Sequence, residues 1–519
     1  MSELAAAAAS YTVRDLFQRA FRIYGPRVAV TDERGSWTYA ELGEQSGRLA
    51  AALHGLGLRQ GDRVAVLSET RPEYVAAYAA LATLGITVLT LNIRMHPDEL
   101  RYCIETGKPA ALLASGPLTP LVHGLREGGG STIRSWVCFD GPQDGFLDYA
   151  QLLAGAGRPP LEADVRAGDV HNVLYTSGTT GRPKGAMISH GAAATRGLRL
   201  AQWFGLGPDD GFIGWLPLFH CGGDESLYAT MITGGRFGAL RKADAETMFT
   251  MIERDRLSWT LLLPGVITDF LHHPRRGDYD LSSFRFAIGY ANMMPNVVQQ
   301  LTAACGIDFY DAFGQTESSY LLAHGVSHPG EAPSLRKLPS PMLDVRTVTE
   351  DMTEAPVGQP GECVVRGPSV MSGYLDDPAA TEEAFRGGWL HTGDLLMRHE
   401  DGTLTFVDRK KYLIKTGGEN VYPAEVEQVI AAHPAVQEAC VFGVPDARWG
   451  ETVKAAVVLR PGAELTAAAL DAWCRERLAG YKRPRYVVFL APGELPRSTT
   501  GKVQRHELAK RPAREEERV

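Results

Sequence analysis

The sequence predicts an α/β protein: a large N-terminal domain of helices and parallel-rich sheets, carrying a small β-rich subdomain, followed by a small α+β C-terminal domain. Three observations lead there. Short apolar strand-like runs alternate with alanine-rich helical stretches through the N-terminal region, the texture of parallel sheets joined by crossover helices. Between residues 360 and 410 the texture changes to short strand-like pieces with turns, GECVVRG, GWLHTGD and DGTLTFVDR. From Arg409 onward, EVEQVIAAH, EACVFGVP, KAAVVLR, ALDAWCRERLA and PRYVVFL alternate helix and strand over a length suited to one small domain. A chain of 519 residues is too long for one ordinary core, and the boundary is placed at Asp408–Arg409, giving domains 1–408 and 409–519.

Taken in order, RVAVL at 63–67 is the first clear strand of the series, a short aliphatic run. Residues 75–91 are uncharged but alanine-rich, and Gly85 divides them into a helix and a buried strand at 87–91 rather than one membrane span. Strands at 172–175 and 260–263 follow, with a helix at 189–203 between them. Asp224 and Glu225, ahead of SLYATMI, read as caps of a further helix.

Composition narrows the class. With 44% hydrophobic and 22% charged residues the chain reads as globular, and a net charge of −8 argues against general nucleic-acid binding. Its seven cysteines (103, 138, 221, 305, 363, 440 and 474) are dispersed, odd in number and without a CxxC pair, which suits a reduced, cytoplasmic protein. The start, MSELAAAAAS, has no basic n-region and carries Glu3, so it is not read as a signal peptide.

LYTSGTTGRPKG at 174–185 is a strand end followed by a loop of glycines, hydroxyls and one lysine. Small residues let backbone N–H groups point into an anion, Thr176, Ser177, Thr179 and Thr180 add donors beside Gly178 and Gly181, and Lys184 supplies a point charge. The familiar nucleotide P-loop is a different string, because Gly185 and not Ser or Thr follows the lysine here. An isolated cluster of this kind is as often a plain surface turn.

The full string resembles the signature of the adenylate-forming superfamily, which includes acyl-CoA synthetases, luciferases and peptide-synthetase adenylation domains. Five further segments resemble that superfamily in the same order. PLFHCGG places His220, Cys221 and Gly222 where relatives line the acyl pocket. IGYANMM adds Gly289, Tyr290, Ala291, Met293 and Met294, departing from the family at Tyr290 and Asn292. Tyr290 either reshapes the substrate site or packs in the core. In YDAFGQTESS the resemblance implies that Asp311, Ala312 and Phe313 flank adenine, Gly314 and Gln315 border the acyl site, Thr316 donates to phosphate, and Glu317 holds Mg²⁺.

Further on, GWLHTGD supplies Asp394 for the ribose hydroxyls, and Arg409 is placed to reach ribose or phosphate. The resemblance makes Asp408 the hinge of a mobile C-terminal domain and assigns Lys415, Gly417, Gly418 and Glu419 to coenzyme A; Tyr412 stands where relatives often have an acid. LPRSTTGKVQR gives Lys502 the place of the adenylation lysine, an ammonium between carboxylate and α-phosphate. The implied enzyme is an AMP-forming carboxylate–CoA ligase using ATP, Mg²⁺ and coenzyme A on a small-molecule acid, hydrophobic in kind (fatty, aryl or cyclic), as a monomer or homodimer without nucleic acid or a transmembrane segment. The alternative is an acyl-AMP ligase, or another adenylate-forming enzyme, that does not use coenzyme A. A peptide-synthetase domain fits less well, since those usually carry aspartate where His220 stands.

Overall fold

A computed structural model describes residues 10–127, 132–157, 163–177, 182–242, 244–262, 264–289, 295–417, 419–446, 448–497, 503–511 and 514–519. The chain divides into two compact units, residues 1–345 with 365–392, and residues 346–364 with 393–519. The expected boundary at Asp408–Arg409 lies inside the second of these.

In the first unit one sheet runs Gly373–Tyr374, Pro183–Ser189, Val170–Ser177, Thr87–Thr90, Arg63–Leu67, Ala111–Ala114, Ser135–Cys138 and Leu147–Asp148. From Val170–Ser177 onward its neighbours are parallel, whereas Pro183–Ser189 and Gly373–Tyr374 are added antiparallel at one edge. Strands buried on both faces need continuous apolar runs. RVAVL and TVLT meet that need, and Leu67, Leu89, Leu112 and Val173 share one core. The helix Pro72–Leu84 begins on proline and stops at Gly85, whose φ of +65° is the left-handed value glycine tolerates. Nearly all its residues are buried, so the uncharged 75–91 stretch is core helix and strand as expected.

A second sheet in this unit has a parallel centre: Val28–Asp32, Arg236–Ala239, Gly211–Gly214, Trp259–Leu262, Phe286–Gly289 and Asp308–Gln315. Ser319–Ser327 then returns antiparallel beside Asp308–Gln315, which puts residues 316–318 in the turn between them. The helix His190–Trp203 follows the hairpin strand Pro183–Ser189 directly, capped by Ser189, whose hydroxyl accepts from the Ala192 N–H at 3.2 Å.

Asp344–Val348, Pro360–Arg366, Leu390–Arg398 and Leu404–Arg409, each wholly or partly in the second unit, lie side by side, and the last three are short strands expected between 360 and 410. In the second unit a separate sheet of Ile414–Thr416, Glu419–Val421, Val436–Asp446, Gly450–Leu459 and Tyr486–Leu490 carries helices Pro423–Ala431 and Ala467–Arg475 on one apolar face, through Val426, Ile430, Leu470 and Cys474. Its other face is covered through Leu495 and Leu508. Among the described residues no helix is long and apolar enough to cross a membrane.

Candidate active site

The phosphate-loop string folds as a β-hairpin. Tyr175 lies opposite Gly185, Thr176 opposite Lys184, and Ser177 opposite Pro183; Gly178, Thr179, Thr180 and Gly181 lie outside the described residues. Gly185 is required by packing, because a Cβ there would stand 2.7 Å from the Val173 side chain. The hydroxyl of Thr176 donates to the Lys184 carbonyl at 3.4 Å, within the hairpin. The Gly373–Tyr374 strand pairs with the outer hairpin strand, and the Leu375 N–H donates to the Gly185 carbonyl at 2.8 Å. This brings Tyr374 beneath Lys184, whose ammonium sits 5.2 Å from the ring centroid.

The hydroxyl of Tyr374 donates to Glu317 Oε1 at 2.9 Å. Burial, then the neighbouring Glu317 charge, raises the phenol above its ordinary pKa, so it remains a proton donor at neutral pH. One residue thus touches the loop lysine and the acid expected to face metal. Sequence reading missed Tyr374, and its signal was weak: a Gly-Tyr pair in MSGYLDD, far along the chain from both partners.

The Thr316–Glu317 turn is held from behind. Arg196 donates to the carbonyls of Thr316 and Ser369 at 3.1 and 2.8 Å and pairs with Glu225 at 3.3 Å, both side chains only 1% exposed. Arg199 donates to the Ser369 and Ser319 hydroxyls, and Ser319 donates to Glu225 Oε2 at 2.7 Å. The Met371 N–H donates to the Glu317 carbonyl at 2.7 Å. Buried charges persist when they are paired, as Arg196 and Glu225 are here. The signal available in sequence was two arginines three apart on one helix face, just after the small-residue run GAAAT.

Asp311 is buried against Lys337 in an ion pair whose two side chains are 1% exposed, so its carboxylate is engaged by lysine in this structure. Ala312 and Phe313 are buried beside it, while Gly314, Gln315 and Thr316 are partly open. Thr316 Oγ1 lies 3.8 Å from Cys221 Sγ, bringing the threonine expected to donate to phosphate to the start of the helix Cys221–Thr233.

That helix is capped by His220, whose Nδ1 accepts from the Gly222 N–H at 3.1 Å. The reading of Asp224 and Glu225 as caps is corrected: both lie inside the helix, fully buried, Glu225 on Arg196 and Asp224 on the Asn172 amide at 2.8 Å. Burial pushes the Cys221 thiol up to about 12, so it is an inert wall rather than a nucleophile. Gly289 ends its strand where a Cβ would meet the Leu262 carbonyl at 2.5 Å and the Phe309 ring at 2.8 Å, a packing constraint. Tyr290, Ala291, Met293 and Met294 lie outside the described residues.

In the second unit Asp394 and Arg409 face each other across paired strands, 2.7 Å apart. Asp408 accepts from the Arg409 and Ala424 N–H groups, both at 2.7 Å, joining the end of one strand to the first turn of Pro423–Ala431. Lys415, Gly417 and Glu419 form an exposed hairpin; Gly417 has φ +58°, and a Cβ there would lie 2.7 Å from the Trp449 ring. Gly418 and Lys502 lie outside the described residues.

Among the described residues no group of three or more His, Cys, Asp or Glu side chains could hold a metal by itself. A lone Glu317 carboxylate suits Mg²⁺ carried in on a triphosphate, an ion that keeps phosphate and water ligands and needs only one or two carboxylates from protein.

Comparison with known proteins agrees with this geometry. Residues 17–375 match the AMP-binding enzyme family, and residues 425–502 match the AMP-binding enzyme C-terminal domain. A feruloyl-CoA synthase from Amycolatopsis is 34% identical over 91% of this chain and 94% of its own length. An indoleacetate–CoA ligase from Aromatoleum aromaticum is 34% identical over 92% of this chain and 93% of its own. The crystal structure of ATP-bound MatB from Rhodopseudomonas palustris matches with a TM-score of 0.86 at 31% identity, covering 96% of this chain and 98% of that one. The chain belongs to the AMP-binding enzyme family, in its acyl-CoA synthetase branch.

Proposed function

We propose that the protein is an ATP-dependent carboxylate–CoA ligase whose acid is hydrophobic and carries an aryl or alicyclic ring. The observation that carries the reading is the convergence of Lys184, Tyr374 and Glu317 behind the phosphate hairpin. Relatives named for ferulate and indoleacetate support a ring-bearing acid.

In the first half-reaction an oxygen of the acid attacks the α-phosphorus of ATP, the bond to the bridging oxygen breaks, and pyrophosphate leaves with an acyl-adenylate formed. Lys184 and the hairpin bind the phosphates, Thr316 donates to them, and Glu317 would hold Mg²⁺. When bound, Mg²⁺ offsets triphosphate charge that would otherwise repel the carboxylate. Lys502 orients the attack, and Asp394 with Arg409 holds the ribose. His220, Cys221, Gly222, Gly314 and Gln315 border the acyl group.

In the second half-reaction the coenzyme A thiolate attacks the acyl carbon and AMP departs. The Lys415–Glu419 hairpin guides pantetheine, and rotation about Asp408 exchanges Lys502 for that hairpin. A cytoplasmic location is supported by all seven cysteines being free.

The test is mass-spectrometric detection of products from MgATP, coenzyme A and a panel of aliphatic, aryl and alicyclic acids. One dominant ring-bearing acyl-CoA is the expected result. Acyl-adenylates without thioester would overturn the assignment to coenzyme A. Lys502→Ala should abolish acyl-adenylate formation while sparing thioester formation from supplied acyl-adenylate.

A further inference from the structure

Lys184 and Glu317 carry opposite charge and touch opposite parts of one side chain, the ring and the hydroxyl of Tyr374. Among the described residues neither enters an ion pair. Tyr374 itself has little freedom. Its backbone pairs with the outer hairpin strand at Ala186, its N–H donates to the Thr381 hydroxyl at 2.9 Å, and the next residue is bonded to Gly185.

We infer that Tyr374 is a positioning residue for MgATP that keeps Lys184 and Glu317 from pairing with each other. The inference rests on the adenylating function proposed above. An ammonium and a carboxylate in one partly buried site attract strongly, and a lysine closed onto Glu317 would have to be pulled away before phosphate and metal could bind. The aromatic face gives the ammonium a weak partner that phosphate displaces readily. The phenol proton occupies one lone pair of Oε1 and restrains the carboxylate, whose remaining lone pairs would be available to Mg²⁺. Tyrosine is suited to both tasks at once, since phenylalanine supplies only the face and a polar aliphatic residue only the donor.

The roles separate by substitution. ATP binding is measured by calorimetry without acid or coenzyme A, once with Mg²⁺ and once with EDTA. Tyr374→Phe keeps the ring and loses the hydroxyl, so ATP affinity in EDTA should match wild type while the Mg²⁺-dependent gain falls about ten-fold. Tyr374→Leu loses the spacer, and affinity in EDTA should fall about ten-fold as Lys184 closes on Glu317. Adding Glu317→Gln to Tyr374→Leu removes the competing charge and should restore affinity in EDTA to that of Glu317→Gln alone.

A residue needed only for folding would show no such rescue. If the double variant binds as weakly as Tyr374→Leu, or if Tyr374→Phe and Tyr374→Leu both bind ATP like wild type in both buffers, the inference is wrong. If wild type binds no ATP even with Mg²⁺, the adenylating function itself fails, an outcome distinct from either.

Discussion

Around the Thr316–Glu317 turn each anchor is buried: Arg196, Arg199, Glu225, Ser319 and Ser369 tie the turn to a helix and a distant strand end. Around Lys415–Gly417 the anchors lie at the surface, a Glu451 carboxylate accepting from the Lys415 N–H at 2.9 Å and a Trp449 ring 38% exposed. In the proposed function the first region is assigned to phosphoryl chemistry, where donors fixed in advance stabilise charge as it develops. The second is assigned there to the coenzyme A thiol, and its contacts are exposed ones of small energetic weight. In that assignment the buried anchoring belongs to the first half-reaction and the exposed anchoring to the second.

The largest expected effect falls on the anchored side. Arg196→Ala removes the buried guanidinium that pairs with Glu225 and holds the Thr316 and Ser369 carbonyls, and should lower unfolding free energy by roughly 3–5 kcal/mol, measured by chemical denaturation. A loss below about 1 kcal/mol would mean that the buried pair is not what holds the turn.

The same burial makes the anchored side sensitive to pH. Desolvation, then repulsion from Glu225, raises the Asp224 carboxyl well above its ordinary pKa. The folded protein keeps a proton that the unfolded chain releases, so stability falls as pH rises above the usual carboxylate range. Asp224→Asn removes that titration. Its melting temperature should be near wild type at about pH 4 and above wild type at about pH 8, and parallel profiles would contradict the buried neutral acid.

On the exposed side effects shrink. Gly417→Val forces a branched residue to positive φ against Trp449 and should cost about 1–3 kcal/mol, with the loss of activity confined to thioester formation. Lys415→Ala should change stability by less than about 0.5 kcal/mol, seen as an unchanged melting temperature.

Much of this site was legible in sequence, for a physical reason. Lys184, Thr316 and Glu317 sit in short strings whose hydroxyls and charges have no apolar packing role, and strand runs such as RVAVL at Arg63–Leu67 carry their burial in their composition. Gly85 likewise marked the end of its helix through backbone conformation alone. What stayed hidden were partners distant in the chain: Tyr374 for Glu317, Lys337 for Asp311, and Arg196 for Thr316. Each is an ordinary residue locally, and only strand order brings it to the site. The cap reading of Asp224 and Glu225 failed because local propensity favours acids in a first turn, whereas here a histidine caps and the acids turn inward to buried partners.

The most direct test of the account measures the two half-reactions separately in Glu317→Gln and Gly417→Val: labelled pyrophosphate exchange for acyl-adenylate formation, and thioester yield from synthetic acyl-adenylate with coenzyme A. The account expects a crossed pattern, Glu317→Gln losing exchange but keeping thioester formation, and Gly417→Val doing the reverse. Equal loss of both activities in both variants would contradict two separately built sites serving two steps.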